Sequence, residues 1–211
     1  MRIHIVIAIA AFVLGCSSER SASSPSVSGK LVFEDHFSRT DVGPDWLDTG
    51  GGYRIVDGRL RAQGARNKPL WLKRKLPRNA RVEFTARSMS PAVDIKAELW
   101  GDGKSRATKS SYTATSYVVI LGGWNNSRSI IARMNEHGKD RESRKAPKGV
   151  VGKLYNFSIE RKGNLFTWSL NGESFLEMND SEPLTGPGHE HFAFNNWETE
   201  VFFDDVSIFE L

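Results

Sequence analysis

The chain has 211 residues, with 29 Lys and Arg against 25 Asp and Glu, and a net charge of +4 that is too mild for a nucleic-acid binder, so no nucleic-acid partner is expected. Its single cysteine excludes an internal disulfide and a cysteine-based zinc site. The length suits one sizeable core and falls short of two.

Taken in chain order, Arg2 followed by the apolar run from Ile5 to Leu14 reads as the n-region and h-region of a signal peptide. Ten residues at about 1.5 Å each reach about 15 Å, half of a hydrocarbon core of about 30 Å, so the run cannot span a membrane. The segment Val13-Leu14-Gly15-Cys16 resembles the lipobox of bacterial lipoproteins. That resemblance implies residues 1–15 as a lipoprotein signal peptide, cleavage before Cys16, and lipidation of Cys16 by a diacylglycerol and usually a third acyl chain. Each buried methylene adds about 0.8 kcal/mol, so two or three chains make the membrane a firm partner. Ser17, where Asp would retain the protein at the inner membrane, implies the outer membrane; the expected location is the bacterial cell envelope. The alternative is an ordinary export signal that happens to end in cysteine. Residues 16–30, rich in Ser, read as a tether with too few apolar side chains to build a core.

From Leu31 to Leu211 the dominant pattern is alternation with period two. Val82, Phe84 and Ala86 alternate with Arg81, Glu83, Thr85 and Arg87. Tyr155, Phe157 and Ile159 alternate with Asn156, Ser158 and Glu160. Asp57-Gly58 and Asn171-Gly172 carry the chemistry of tight type I′ hairpin turns, and Lys162-Gly163-Asn164 marks another. About a dozen short strands and no stretch of helical period predict an all-β domain over residues 31–211, built as a two-sheet sandwich.

The opening LVFEDHF, the middle GGYRIVDGRLRAQG with LWLKRKL, the late YNFSIERKGNLFTWSLNGESF and the closing FAFNNWETEVFFDDVSIFEL together resemble the concanavalin A-like lectin/glucanase jelly roll. Within it, the chain is most similar to bacterial exported domains of the 3-keto-disaccharide hydrolase-like group. The resemblance implies a jelly-roll sandwich and a poly- or oligosaccharide partner, and leaves the reaction unassigned.

Candidate site residues fall in four clusters. In Asp94-Ile95-Lys96-Ala97-Glu98-Leu99-Trp100, alternation turns Ile95, Ala97 and Leu99 to the core and puts Asp94, Lys96, Glu98 and Trp100 on the opposite face. Carboxylates accept sugar hydroxyls and an indole stacks on a pyranose, so this face suits a glycan groove. Retaining glycanases of this fold carry a Glu-x-Asp-x-Glu triplet on one such strand, and here its centre is Lys96. Asp94 and Glu98 lie about 13 Å apart by rise alone, against about 5 Å for a retaining pair, and Lys96 is expected to neutralise them. The second cluster, Gly122 to Arg128, offers Trp124 and Asn125 at a loop rim, or else a tight turn with Trp124 buried. Arg133, Glu136 and His137 follow it, the last two as candidate acid and base.

The third cluster joins His189, His191, Asn195 and Trp197, with the two histidines on one strand face as sugar contacts or metal ligands. The fourth places Glu34-Asp35 beside Asp204-Asp205, since first and last strands of a jelly roll often pair. There Glu34 and Asp205 are the candidate ligands of a structural calcium, or else surface acids, and a bulge is expected at Asp204-Asp205. No cofactor is required. Basic groups at 73–78, 104–109 and 139–153 read as a solvated surface or as contacts to an anionic glycan.

The leading expectation is a monomeric glycan-binding domain using Lys96, Glu98, Trp100, Trp124, Asn125, Arg133, His191, Asn195 and Trp197. The alternative is a glycan-cleaving enzyme, hydrolase or lyase, with Glu98 as the main acid/base group and Asp94, Glu136 and His137 assisting. A structural or protein-interaction lipoprotein is the third, for which these clusters would be dispersed in space.

Overall fold

The computed structural model describes residues 29–109 and 112–211. The signal peptide, Cys16 and nearly all of the tether lie outside the described residues.

Among the described residues, fifteen strands make up almost all of the regular structure. In chain order they begin with β1 (Lys30–Asp35), β2 (Trp46–Asp48), β3 (Arg54–Val56), β4 (Arg59–Gln63) and β5 (Leu70–Leu72). The middle strands are β6 (Ala80–Ser88), β7 (Ile95–Gly101), β8 (Tyr117–Gly122), β9 (Arg128–Arg133) and β10 (Glu142–Arg144). The last are β11 (Tyr155–Lys162), β12 (Leu165–Leu170), β13 (Glu173–Asn179), β14 (His191–Asn195) and β15 (Glu200–Glu210). One sheet runs β13-β12-β11-β6-β15-β4-β3, with β1 also paired to β15; the other runs β10-β9-β8-β7-β14-β5-β2. The pairings are antiparallel, so the alternation read from the sequence puts one set of side chains inside and the other outside.

The core lies between the two sheets. Val82, Phe84 and Ala86 of β6 and Tyr155, Phe157 and Ile159 of β11 are buried there, as their alternation predicts. Phe84 stacks on Phe157 at 4.6 Å within its sheet and meets Phe194 of the other sheet edge-on at 5.3 Å. Each such ring contributes about 1.5–3 kcal/mol of burial, enough to lock the sheets face to face. Asp57-Gly58 and Asn171-Gly172 both adopt the left-handed conformation that their hairpins need.

Among the register slips in the two sheets, two redirect side chains that bear on the site residues. The expected one slips the register between Asp204 and Ser207, with Asp205 at φ 50°. The other was not anticipated. At the end of β7, Trp100 is left-handed at φ 56°, and the pairing with β14 slips between His191 and Phe192. Leu99 and Trp100 therefore both turn inward. Trp100 is buried against Tyr117 and Phe166, and its Nε1 donates to the Pro77 carbonyl at 3.0 Å. Its expected place on the outer face is thus corrected: one extra residue reverses the alternation.

The acidic corner also differs from expectation. β1 and β15 do pair, but the four carboxylates do not converge. Asp35 is taken up by a two-pronged Arg39 contact at 2.6 and 2.7 Å and by the Trp46 indole at 2.8 Å. His36 donates to Asp205 at 2.8 Å and lies 3.8 Å from Glu34. Among the described residues no group of three or more His, Cys, Asp or Glu side chains is placed to hold a metal ion.

Candidate functional site

The seven-stranded sheet has an outer face turned away from the main core. Val118, Ile120, Ile130 and Ala132 form a separate apolar floor there. Over it opens a cleft of about 790 Å³. Its walls come from six places in the chain: the loop between β4 and β5, the start of β7, the loop between β7 and β8, the turn after β8, the loop after β9 and the loop between β14 and β15.

The turn after β8 is an unusual piece of backbone. Gly122, Trp124, Asn125 and Asn126 all lie at positive φ, between 49° and 69°. A side chain at Gly122 would strike Asn126 and Val93, so glycine is required there. Asn tolerates the left-handed region, and Trp does so only at a cost of about 1–3 kcal/mol, which the surroundings must offset. They do so through Asn126, which donates to the Gly149 carbonyl at 2.8 Å and accepts from the Gly149 amide at 2.9 Å. The result is a clamped turn that holds Trp124 36% exposed on the rim. Arg141 lies 5.1 Å from its ring centroid, and His137 meets it edge-on at 5.5 Å.

Trp197, which lines the same cleft, is 41% exposed. Its amide donates to Asp94 Oδ2 at 2.7 Å, and its carbonyl accepts from the Arg66 amide at 2.9 Å. The two indoles that the sequence offered in similar Asn-rich settings thus line one cleft.

Between them, Lys96 is only 2% exposed and donates to Glu136 Oε2 and to Asn67 Oδ1, each at 2.8 Å. Burial works against its charge, but Asp94 and Glu136 outweigh that and hold its pKa above the usual lysine value. Its ion pair is with Glu136, not with the two acids of its own strand. Those acids respond chiefly to burial, which pushes both Asp94 and Glu98 above the usual carboxylate range despite Lys96.

No protein-family model matches the chain, and no curated protein matches it in sequence. Among solved structures, the carbohydrate binding module CBM66 from Bacillus subtilis is similar at a TM-score of 0.62 and 14% identity, over 83% of this chain and 100% of that one. The Emp47p carbohydrate recognition domain gives 0.59 and 13%, over 89% and 99%. A laminarinase from Flavobacterium sp. UMI-01 gives 0.58 and 10%, over 86% and 100%. The fold is a jelly roll. At such low identity the likeness speaks to fold alone.

Within this jelly roll the residues singled out in the sequence separate into two groups. Asp94, Lys96, Trp124, Asn125, Glu136, His137 and Trp197 surround the cleft. Glu98, expected to be the main acid/base group, lies beneath it and is fully buried. It accepts from Ser116 at 2.6 Å, Asn195 at 2.7 Å and Tyr112 at 3.1 Å, so both oxygens are already engaged. Asn195, also fully buried, serves this network and not the cleft wall.

Arg133 and His191 lie away from the cleft. Arg133 follows the inward register of Ile131, opposite to Ile130 and Ala132 on the cleft side, and reaches Asp180 at 3.2 Å. His191 donates from Nδ1 to the Leu72 carbonyl at 2.9 Å, and His189 to that of Thr115 at 2.7 Å, so the pair does not converge on a metal. Asn135, which follows Arg133 in the second cluster, lines the cleft too, whereas Asn67 and Tyr112 line it and were not anticipated. Tyr112, an aromatic inside a Ser/Thr-rich loop, was the one visible signal; Asn67 gave none.

Proposed function

We propose that the chain is a glycan-binding domain carried by a lipid-anchored protein of the bacterial cell envelope. The observation that carries this reading is the pair of partly exposed indoles, Trp124 and Trp197, on the rims of one cleft with an apolar floor and hydrogen-bonding walls. An indole covers the apolar face of a pyranose, while Asn125, Glu136 and Asn135 offer donors and acceptors to its hydroxyls. The similar solved structures include a carbohydrate binding module and a carbohydrate recognition domain, which supports the same reading. The anchor rests on the lipobox at Cys16, and the outer membrane on Ser17.

The test is a glycan array followed by isothermal titration with the full chain in detergent. Saccharide binding that is lost in Trp124→Ala and Trp197→Ala supports the reading; silence across the array at millimolar saccharide sinks it. Radiolabelled palmitate incorporation, abolished in Cys16→Ala, tests the anchor.

One observation favours a second reading, a glycan-cleaving enzyme. Asp94 lines the cleft with a carboxyl that burial pushes up, as a proton donor requires, and Glu136 faces the same space. The sequence resemblance to 3-keto-disaccharide hydrolase-like domains points the same way. Release of reducing ends or unsaturated products from a polysaccharide panel, lost in Asp94→Asn, would establish it.

A further inference from the structure

A second, smaller cavity of about 100 Å³ opens between the sheets at the far end of β7, and shares no residue with the cleft. Arg78, Trp100, Arg161, Thr185, His189 and Glu190 line it. Arg161 takes an inward position on β11 and is 1% exposed. Its guanidinium lies 5.1 Å from the Trp100 ring centroid, 5.2 Å from that of Phe166 and 5.9 Å from that of Tyr117. Nε donates to the Gly163 carbonyl at 3.1 Å, and neither terminal nitrogen has a hydrogen-bond partner among the described residues.

This arrangement is incomplete as it stands. Aromatic faces attract a guanidinium but are not a counterion, and a buried cation needs both charge compensation and acceptors for its donors. Among the described residues no carboxylate forms an ion pair with Arg161. Two other charges act on it: Arg78, exposed on the rim, is of the same sign and has no acid partner among the described residues either, while Asp180 is of opposite sign but is engaged by the Tyr117 hydroxyl at 2.6 Å and by Arg133 at 3.2 Å. The one acid lining the cavity, Glu190, is paired with Lys75 at 2.8 Å.

We propose that this cavity binds a tetrahedral oxyanion, a phosphate or a sulfate, either free or as an ester on a saccharide. Arg161 presents its planar fork from the floor and Arg78 a second guanidinium from the rim, the donor geometry that such groups select. The space holds roughly three water molecules, which suits a sulfate-sized ion and excludes a whole pyranose.

The experiment is thermal unfolding and isothermal titration of the full chain in detergent, with sodium sulfate and sodium phosphate against sodium chloride at matched ionic strength. Sulfate stabilises proteins in general, but that effect does not saturate at millimolar concentration and is shared by variants. The expected result is a saturable rise in Tm at millimolar oxyanion, weakened roughly tenfold in Arg78→Ala, whose Tm in chloride stays near that of the unaltered chain. Arg161→Met should abolish the response; if that variant does not fold, Arg78→Ala decides alone. A Tm that tracks ionic strength only, or a response identical in Arg78→Ala, overturns the proposal. Glucose 6-sulfate separates the sources: binding tighter than inorganic sulfate assigns the site to an ester group on a saccharide, and weaker or equal binding to the free ion.

Discussion

Lys96 Nζ and Glu136 Oε2 meet at 2.8 Å and tie the middle of one sheet to the loop that closes the cleft. Both side chains are largely buried, and Glu136 shares with Asp94 the compensation of the Lys96 charge. Removing one charge leaves the other stranded, which costs about 3–5 kcal/mol, whereas removing both costs much less. Lys96→Met should therefore lose about 3 kcal/mol in urea unfolding, and the double variant Lys96→Met/Glu136→Met should recover part of it. Equal stability of the single and double variants would show that the pair is not coupled.

Three tryptophans give opposite expectations. Trp124→Ala and Trp197→Ala remove exposed rings, so each should weaken saccharide binding by about tenfold with little change in Tm. Trp100→Ala empties a filled interior position and should cost about 3–5 kcal/mol of stability. Titration and thermal unfolding on the same three variants check both halves.

Glu98 gives a pH signature. Burial raises its folded pKa above the ordinary 4.5, so the folded chain holds this proton to higher pH than the unfolded chain does. Its contribution to stability is full below pH 4.5 and is lost as pH rises through the raised value. Glu98→Gln carries no such loss, and the hydroxyls of Ser116 and Tyr112 can turn to suit an amide. The variant should be the more stable form at pH 8, with the difference vanishing towards pH 4. A less stable variant at pH 8 would mean that hydrogen bonds to the carboxylate outweigh burial.

Asp35 has the opposite sign. Burial works against its charge, but the Arg39 fork, the Trp46 indole and the Phe37 amide together hold its pKa below the ordinary 3.8. The contribution is present above pH 3.8 and is lost as pH falls through the lowered value. Asp35→Asn should cost about 3 kcal/mol at pH 7, a difference that shrinks in acid. Denaturant melts at pH 7 and pH 3 measure it.

The jelly roll was legible because alternation is a local signal. Val82, Phe84 and Ala86 needed no partner to declare which way they point, and Asp57-Gly58 and Asn171-Gly172 declared their own turns. The cleft was legible only in part. Asp94, Trp124 and Glu136 announced polar or aromatic chemistry, but they sit on three separate segments that only the fold brings together. Trp100 misled because a bulge leaves no mark in the alternation it interrupts. Glu98 misled for another reason: which face a carboxylate takes is written in its strand, whereas how deeply it is covered depends on Tyr112 in the following loop and on Asn195, far away in the chain.

The clamp between Asn126 and Gly149 bears on how a ligand is met. With the amide and the carbonyl of Gly149 both engaged by one side chain, the rim carrying Trp124 has its shape before any partner arrives. Docking there forfeits little chain freedom, and encounter is not slowed by a search for the competent form. Affinity differences among partners should consequently appear in how long they stay. Cutting the clamp with Asn126→Ala would convert a ready-made lip into one that each partner must organise afresh.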